Sequence, residues 1–249
     1  MSDNKSPIIT LHWLEKSRSQ RILWLLEELQ IDYKLKLYHR DHSQRAPEEL
    51  AKIFPLGKSP VVEIDYQDGK ESRKIAESGF IIKYLIENFD KDGKLTPKNK
   101  QDTDDIDYYL FFTESSLQPY LTALIVHKVA VSKAPFFARP ICSQFAHKID
   151  ESYNAKEAII GFKFLEEKLK ETNGEEFFVG NKISGADIIL SFPIEIAFES
   201  ERLQDLGFHP TEYPLLDKYL KSLKSRAAYK NAIKRIEVEG NGEFKISAT

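Results

Sequence analysis

Ile8-Ile9-Thr10-Leu11-His12 is followed by the turn Trp13-Leu14-Glu15-Lys16-Ser17-Arg18-Ser19 and then by Gln20-Arg21-Ile22-Leu23-Trp24-Leu25-Leu26-Glu27-Glu28-Leu29. The first run is β-rich. In the last, Ile22, Leu25, Leu26 and Leu29 recur at helical spacing, with Glu27 and Glu28 left for the solvent face. Tyr33-Lys34-Leu35-Lys36-Leu37-Tyr38 then alternates apolar and polar, as a half-buried strand does. Strand, helix and strand within about 30 residues predict a βαβ unit with a right-handed crossover.

Working outward, Arg45 to Ile53 is a short helix candidate broken by Phe54-Pro55-Leu56-Gly57. Pro60-Val61-Val62-Glu63-Ile64 reads as a strand, Tyr66-Gln67-Asp68-Gly69-Lys70 as a hairpin turn and Arg73 to Ala76 as the returning strand. Ser78 opens a helix through Ile82, Leu85 and Ile86 to Phe89. The order βαβ-α-ββ-α makes residues 1–90 a small α/β domain. Residues 91–101, polar and carrying Gly93 and Pro97, read as a linker, and residues 102–249 as an all-helical domain. A long helix over Asp102–Val131 begins with Asp102, Asp104, Asp105 and Asp107, acids suited to the positive end of a helix dipole. A second runs over Pro140–Glu171. Ser184-Gly185-Ala186-Asp187 opens a third with a capping box, and Pro214 suits the first position of a fourth. The polar end, residues 237–249, is expected to be mobile.

A length of 249 residues suits one large domain or two, and 41% apolar side chains are ample for a core. With 36 basic against 39 acidic residues there is no basic excess, and so no electrostatic case for nucleic acid. One cysteine, Cys142, excludes an intrachain disulfide, a Cys-rich zinc site and a dithiol redox pair. The six histidines have no metal-ligand spacing, so no metal is expected. No run approaches the roughly 18 apolar residues of an integral membrane segment, and the first residues have no signal-peptide core. The expectation is a soluble cytoplasmic protein, with peripheral association at an organelle membrane left open. Phosphate-loop, dinucleotide and Gly-x-Ser-x-Gly signatures are absent.

Three junctions hold chemistry. Ser17 stands where the first strand meets the first helix, a place that favours an anion and lowers a thiol pKa. Any thiolate there belongs to the ligand. Ser17 also reads as a plain cap, with Gln20 completing a capping box, and Ser19 competes in either role. Ser59-Pro60 precedes a strand. An ordinary trans proline fits there, whereas a cis bond would expose the Ser59 backbone to a peptide. Glu77-Ser78 reads as a cap, or as a carboxylate and hydroxyl able to hold a zwitterionic amino-acid end.

Taken in order, the turn and helix from Ser17 to Leu29, Pro55-Leu56-Gly57-Lys58-Ser59-Pro60, Ala76-Glu77-Ser78 and Ser184-Gly185-Ala186-Asp187 resemble a cytosolic glutathione transferase along nearly the full length. His12-Trp13-Leu14, Tyr109-Leu110-Phe111 and Ser116-Leu117-Gln118-Pro119 are most similar to the fungal glutathione transferases of the yeast GTT type. The resemblance implies a thioredoxin-like domain followed by an all-α domain, usually as a homodimer, with glutathione as co-substrate and no other cofactor. It implies that Glu77 and Ser78 bind the γ-glutamyl end, that the Ser59 backbone before a cis Pro60 pairs with the cysteinyl unit, and that Lys58 and Arg45 hold the glycyl carboxylate. Ser17, with Ser19 as the alternative, would donate a hydrogen bond to the sulfur. Ser184 and Asp187 would have a folding role. Trp13, Leu14, Tyr109 and Phe112 are the acceptor-pocket candidates. The implied activity is conjugation of glutathione to small hydrophobic electrophiles in detoxification, with glutathione-dependent peroxidase activity beside it. The rival is a binding or regulatory protein of the same fold that does not conjugate.

Overall fold

The computed structural model describes residues 6–172 and 176–246. The N-terminal domain runs β1 (Ile8–Leu14), α1 (Ser19–Leu29), β2 (Tyr33–Tyr38), α2 (Glu48–Ile53), β3 (Val61–Asp65), β4 (Arg73–Ala76) and α3 (Ser78–Phe89). The strands form one sheet in the order β2-β1-β3-β4, with β2 parallel to β1 and the other neighbours antiparallel. This is the predicted βαβ-α-ββ-α domain.

The helical domain follows with α4 (Lys100–Phe112) and α5 (Gln118–Lys133), joined through a π-helical turn at Thr113–Leu117. Next come α6 (Arg139–Ile149) and α7 (Ala155–Glu171), joined by a second π-helical turn at Asp150–Asn154. Then follow α8 (Gly185–Glu199), α9 (Glu201–Asp205), a 3-10 turn, α10 (Pro214–Ser225) and α11 (Ala227–Glu239). The two long helices read from the sequence are present, each carrying one π turn. At the second, the fully buried Asp150 carboxylate accepts from His127 Nδ1 at 2.6 Å, Asn154 Nδ2 at 3.0 Å and Arg202 Nε at 3.0 Å. Burial opposes its ionisation, but these donors outweigh that and hold the carboxyl below the usual range.

Helix α1 is enclosed nearly all round, with Ile22, Leu23, Trp24, Leu25 and Leu26 all at 0% exposure. It lies against β1 and α3 of its own domain and against α8 and α11 of the other. Its acids do not face free solvent as expected. Glu28 accepts from Trp24 Nε1 at 2.9 Å and from Arg226 Nε at 2.6 Å, and Glu27 accepts from the Tyr33 hydroxyl. Helix α1 is thus packed between the two domains.

The linker is more ordered than its composition suggests. The Asp90 carboxylate accepts the backbone N–H groups of Lys94, Leu95 and Thr96 at 2.7–2.9 Å, and Leu95 is buried. The polar end of the chain is placed against the fold. Residues 237–239 belong to α11, and residues 240–246 fold back onto the first domain, where Phe244 and Ile246 pack against the core. Residues 247–249 lie outside the described residues. At the α5–α6 corner, by contrast, Phe136, Phe137, Ile141 and Phe145 are largely exposed.

Candidate active site

Register brings the sequence-read junctions to one edge of the sheet. Leu14 lies opposite Tyr38, His12 opposite Val61, and Val61 opposite Ala76. The segments leaving β1, β2 and β4 and the segment entering β3 therefore share that edge: Glu15–Arg18, His39–Arg45, Glu77–Ser78 and Lys58–Pro60. Ligands of open α/β sheets sit beyond such strand ends.

In the β1–α1 turn, Ser17 Oγ donates to the Leu14 carbonyl at 2.8 Å and lies 2.6 Å from Ser19 Oγ. Ser19 Oγ accepts from the Leu14 N–H at 3.1 Å, lies within 3.0 Å of the Leu14 carbonyl, and is fully enclosed. Ser19 thus closes the turn from inside. Ser17 is also buried, yet retains 7% exposure against none for Ser19. The capping-box alternative is absent. Arg18 occupies the cap position without a side-chain capping bond, and Gln20 Oε1 accepts from Trp13 Nε1 at 3.2 Å.

The turn is held from a neighbouring loop. Arg40 Nη2 donates to the Lys16 carbonyl at 2.8 Å and its Nε to the Glu15 carbonyl at 3.2 Å. Burial works against ionisation of Glu15, but the backbone N–H groups of Arg40 and Lys245, with His39, hold its carboxyl below the usual range. The Ser59–Pro60 peptide bond is cis, and Ser59 Oγ donates to the His12 carbonyl at 2.8 Å. Lys58 and Arg45 are exposed on the same side, where the Arg45 backbone N–H donates to Asp41 Oδ1 at 2.8 Å. Glu77 precedes α3 with φ +70°, a conformation L residues rarely hold and one that clusters at functional sites. Its side chain is exposed, and Ser78 beside it is buried.

Two arginines beside Ser17 had no role in the sequence reading. Arg18 and the wholly buried Arg21 both pair with Glu114 from the first π turn, and Arg21 Nη1 also donates to the Ile189 carbonyl of α8 at 2.8 Å. Burial pushes Arg21 down to about 10, against the opposing pull of Glu114, so it stays charged at neutral pH. Two cations thus share one carboxylate next to the turn. The signal available in the sequence was a charged residue at the start of an otherwise apolar helix; its partner 93 residues away was not readable.

The four acceptor-pocket candidates lie as follows. Trp13 and Leu14 are buried, Trp13 at 0% exposure, because β1 is an interior strand. Tyr109 is buried against Phe178, with ring centroids 5.2 Å apart, and Phe112 packs on Tyr108 and Phe164. Trp13, Leu14 and Tyr109 are buried, whereas Phe112 is half-buried. From the helical domain α5 reaches the same strand ends, where its Lys133 Nζ donates to the Ser43 carbonyl at 3.0 Å. Val126 and Thr122, seven and eleven residues earlier, share that helical face and are exposed.

Two family models match: the glutathione S-transferase N-terminal domain over residues 6–87 and the C-terminal domain over residues 134–227. The chain is 40% identical to glutathione S-transferase 1 of Saccharomyces cerevisiae over 224 residues, covering 90% of this chain and 93% of that protein. Among solved structures, a glutathione S-transferase from Actinobacillus pleuropneumoniae is 32% identical with a TM-score of 0.69, covering 91% of this chain and 92% of the other. A glutathione transferase homologue from Lodderomyces elongisporus, solved with two glutathione molecules per subunit, shares the fold at 21% identity with a TM-score of 0.71, covering 91% and 98%. With both domain models matched in order and a close relative aligned nearly end to end, the chain belongs to the glutathione S-transferase family.

Proposed function

We propose that this protein binds glutathione along the described sheet edge, ionises its sulfur beside Ser17 and adds it to small hydrophobic electrophiles. Glu77 and Ser78 hold the γ-glutamyl ammonium and carboxylate, the Ser59 backbone pairs with the cysteinyl unit, and Lys58 with Arg45 faces the glycyl carboxylate. The observation that carries this reading is the shared edge, with a serine hydroxyl, a helix N-terminus and two arginines at its centre. Val126 and Thr122 of α5 form the acceptor wall. Glutathione-dependent reduction of hydroperoxides would use the same thiolate, and a cytoplasmic detoxifying role suits both reactions.

Titration calorimetry with glutathione, paired with a conjugation assay using a generic aryl halide, tests the reading. Glu77→Ala is expected to weaken glutathione binding about 10- to 100-fold, the worth of one charge-assisted hydrogen bond at about 1.5–3 kcal/mol. Unchanged affinity would remove Glu77 from the site. One observation favours a second reading, a binding protein that does not conjugate: the Ser17 hydroxyl is already engaged by Leu14 and Ser19. Tight glutathione binding without sulfur ionisation, together with no turnover across several acceptors, would select that reading.

A homodimer is part of the proposal. Phe80 of α3 and Tyr108 and Phe111 of α4 are 49%, 50% and 75% exposed, a cluster of aromatic surface that a second copy would cover. Phe111→Glu should shift the sedimenting species from dimer to monomer at micromolar concentration. A parent chain that already sediments as a monomer would refute the dimer.

A further inference from the structure

We propose that the C-terminal hook, residues 240–246, is a positioning device for the turn that presents Ser17, acting through Phe244 and the Lys245 carbonyl; this rests on the glutathione reading above. After α11 the chain reverses through Asn241 and Gly242, at φ +50° and +73°. The reversal needs a glycine at 240, where a Cβ would lie 2.5 Å from Phe244 Cδ2 and 2.7 Å from the Ile236 carbonyl oxygen. Phe244 then stacks flat on His39 with centroids 3.9 Å apart and meets the Trp13 ring edge-on at 6.1 Å. The next residue makes the decisive contact. The Lys16 N–H donates to the Lys245 carbonyl at 3.1 Å.

Lys16 directly precedes Ser17 and has φ +48°, a strained conformation that persists only when its surroundings enforce it. Its peptide groups are gripped on both sides, the C=O by Arg40 and the N–H by the hook. Arg40 follows β2 in the first domain, whereas the hook arrives from the far end of the chain, beyond the last helix of the second. His39 completes the link, since the ring under Phe244 also carries Nδ1 3.4 Å from Glu15 Oε2. Removing the hook leaves the strained residue held from one side only. The turn can then relax away from the geometry in which Ser17 meets the sulfur. Glu77, Ser59 and Lys58 lie outside these contacts, so glutathione affinity is set elsewhere.

The test uses full-length Phe244→Ala, with Phe244→Leu as a milder variant should the first fold poorly and Phe244→Tyr as the ring-preserving control. Three quantities are read: amide exchange at Lys16, the pKa of the bound glutathione thiol from its ultraviolet thiolate absorbance, and kcat against pH. Expected for Phe244→Ala are Lys16 exchange at least about tenfold faster and a bound-thiol pKa raised by about one unit. Turnover on the acidic limb should then be about three- to tenfold lower. Glutathione affinity measured at pH 5.5, where the bound thiol is protonated in parent and variant alike, should stay within about twofold, and Phe244→Tyr should restore all three quantities. Unchanged thiol pKa and kcat in the alanine and leucine variants would overturn the proposal, as would parallel losses of affinity and turnover, which mark general destabilisation. A parent chain that fails to bind or ionise glutathione would instead sink the functional reading on which this rests.

Discussion

Ser17→Ala is expected to lower conjugation at pH 7 by about 3- to 25-fold while leaving glutathione affinity at pH 5.5, where the thiol is protonated in both proteins, within about threefold. The range follows from the sulfur. Bringing a thiol from about 8.5 to about 6.5 is worth about 2.7 kcal/mol and raises the thiolate fraction at pH 7 from about 3% to about 76%. That 25-fold gain is an upper bound, because a less basic thiolate is less nucleophilic. With a Brønsted slope near 0.4–0.5 the net factor falls to about 3. The pH–rate profile is therefore the sharper readout. The variant's limb should move up by as much as about two units, and its rate at pH 9 should recover at least to within about twofold of the parent. The remaining acceleration belongs to placing an electrophile beside the sulfur, a task for the α5 wall. Equal losses of affinity and turnover would make Ser17 a structural residue. Ser19→Ala should behave differently. Ser19 satisfies the buried Leu14 N–H, so its loss should appear as about 1–3 kcal/mol of destabilisation.

Asp187→Ala is expected to destabilise the protein by about 3–5 kcal/mol, a fall of about 6–20 °C in Tm for a chain of this size. The capping box read from Ser184-Gly185-Ala186-Asp187 is present, with Ser184 N–H donating to Asp187 Oδ2 at 2.8 Å and Ser184 Oγ accepting from the Ala186 N–H at 3.2 Å. Asp187 does more than cap. Its Oδ1 accepts from the Phe178 N–H at 3.2 Å and the Tyr219 hydroxyl at 2.7 Å, so one carboxyl ties α8 to the preceding loop and to α10. Burial pushes this carboxyl up from the usual carboxylate range, partly opposed by those donors. Alanine would remove the acceptor of four buried donors, the Phe178 and Ser184 N–H groups and the Tyr219 and Ser184 hydroxyls, in a helix that supports both α1 and α4. Denaturant unfolding followed by circular dichroism measures the loss. A change below about 1 kcal/mol would mean the loop and α10 rearrange to satisfy themselves.

Local pattern carried the elements well. The alternation in Tyr33 to Tyr38 and the spacing of Ile22, Leu25, Leu26 and Leu29 each correspond to the observed strand and helix. The site junctions were legible for the same reason, since Ser17, Ser59 and Glu77 each stand where one element gives way to the next, a local property. Three things were not. The surroundings of Trp13, Leu14, Tyr109 and Phe112 follow from packing, because aromatic and aliphatic residues serve cores and pockets alike; the first three are buried and Phe112 is half-buried. The partnership of Arg18 and Arg21 with Glu114 links residues 96 and 93 positions apart. The placement of residues 240–246 was not legible because their polarity masks it, yet one phenylalanine, Phe244, stacks on His39.

Periodicity, turn residues and the capping box sufficed for the fold, because each depends on neighbours within a turn or two of chain, where the chemistry of the side chain decides. Which of the two serines is wholly enclosed, which helix reaches the strand ends and which groups bond Lys16 depended on segments far apart in sequence meeting at one sheet edge. Those answers required the packed molecule, since register and domain docking, rather than local preference, set the distances between such groups.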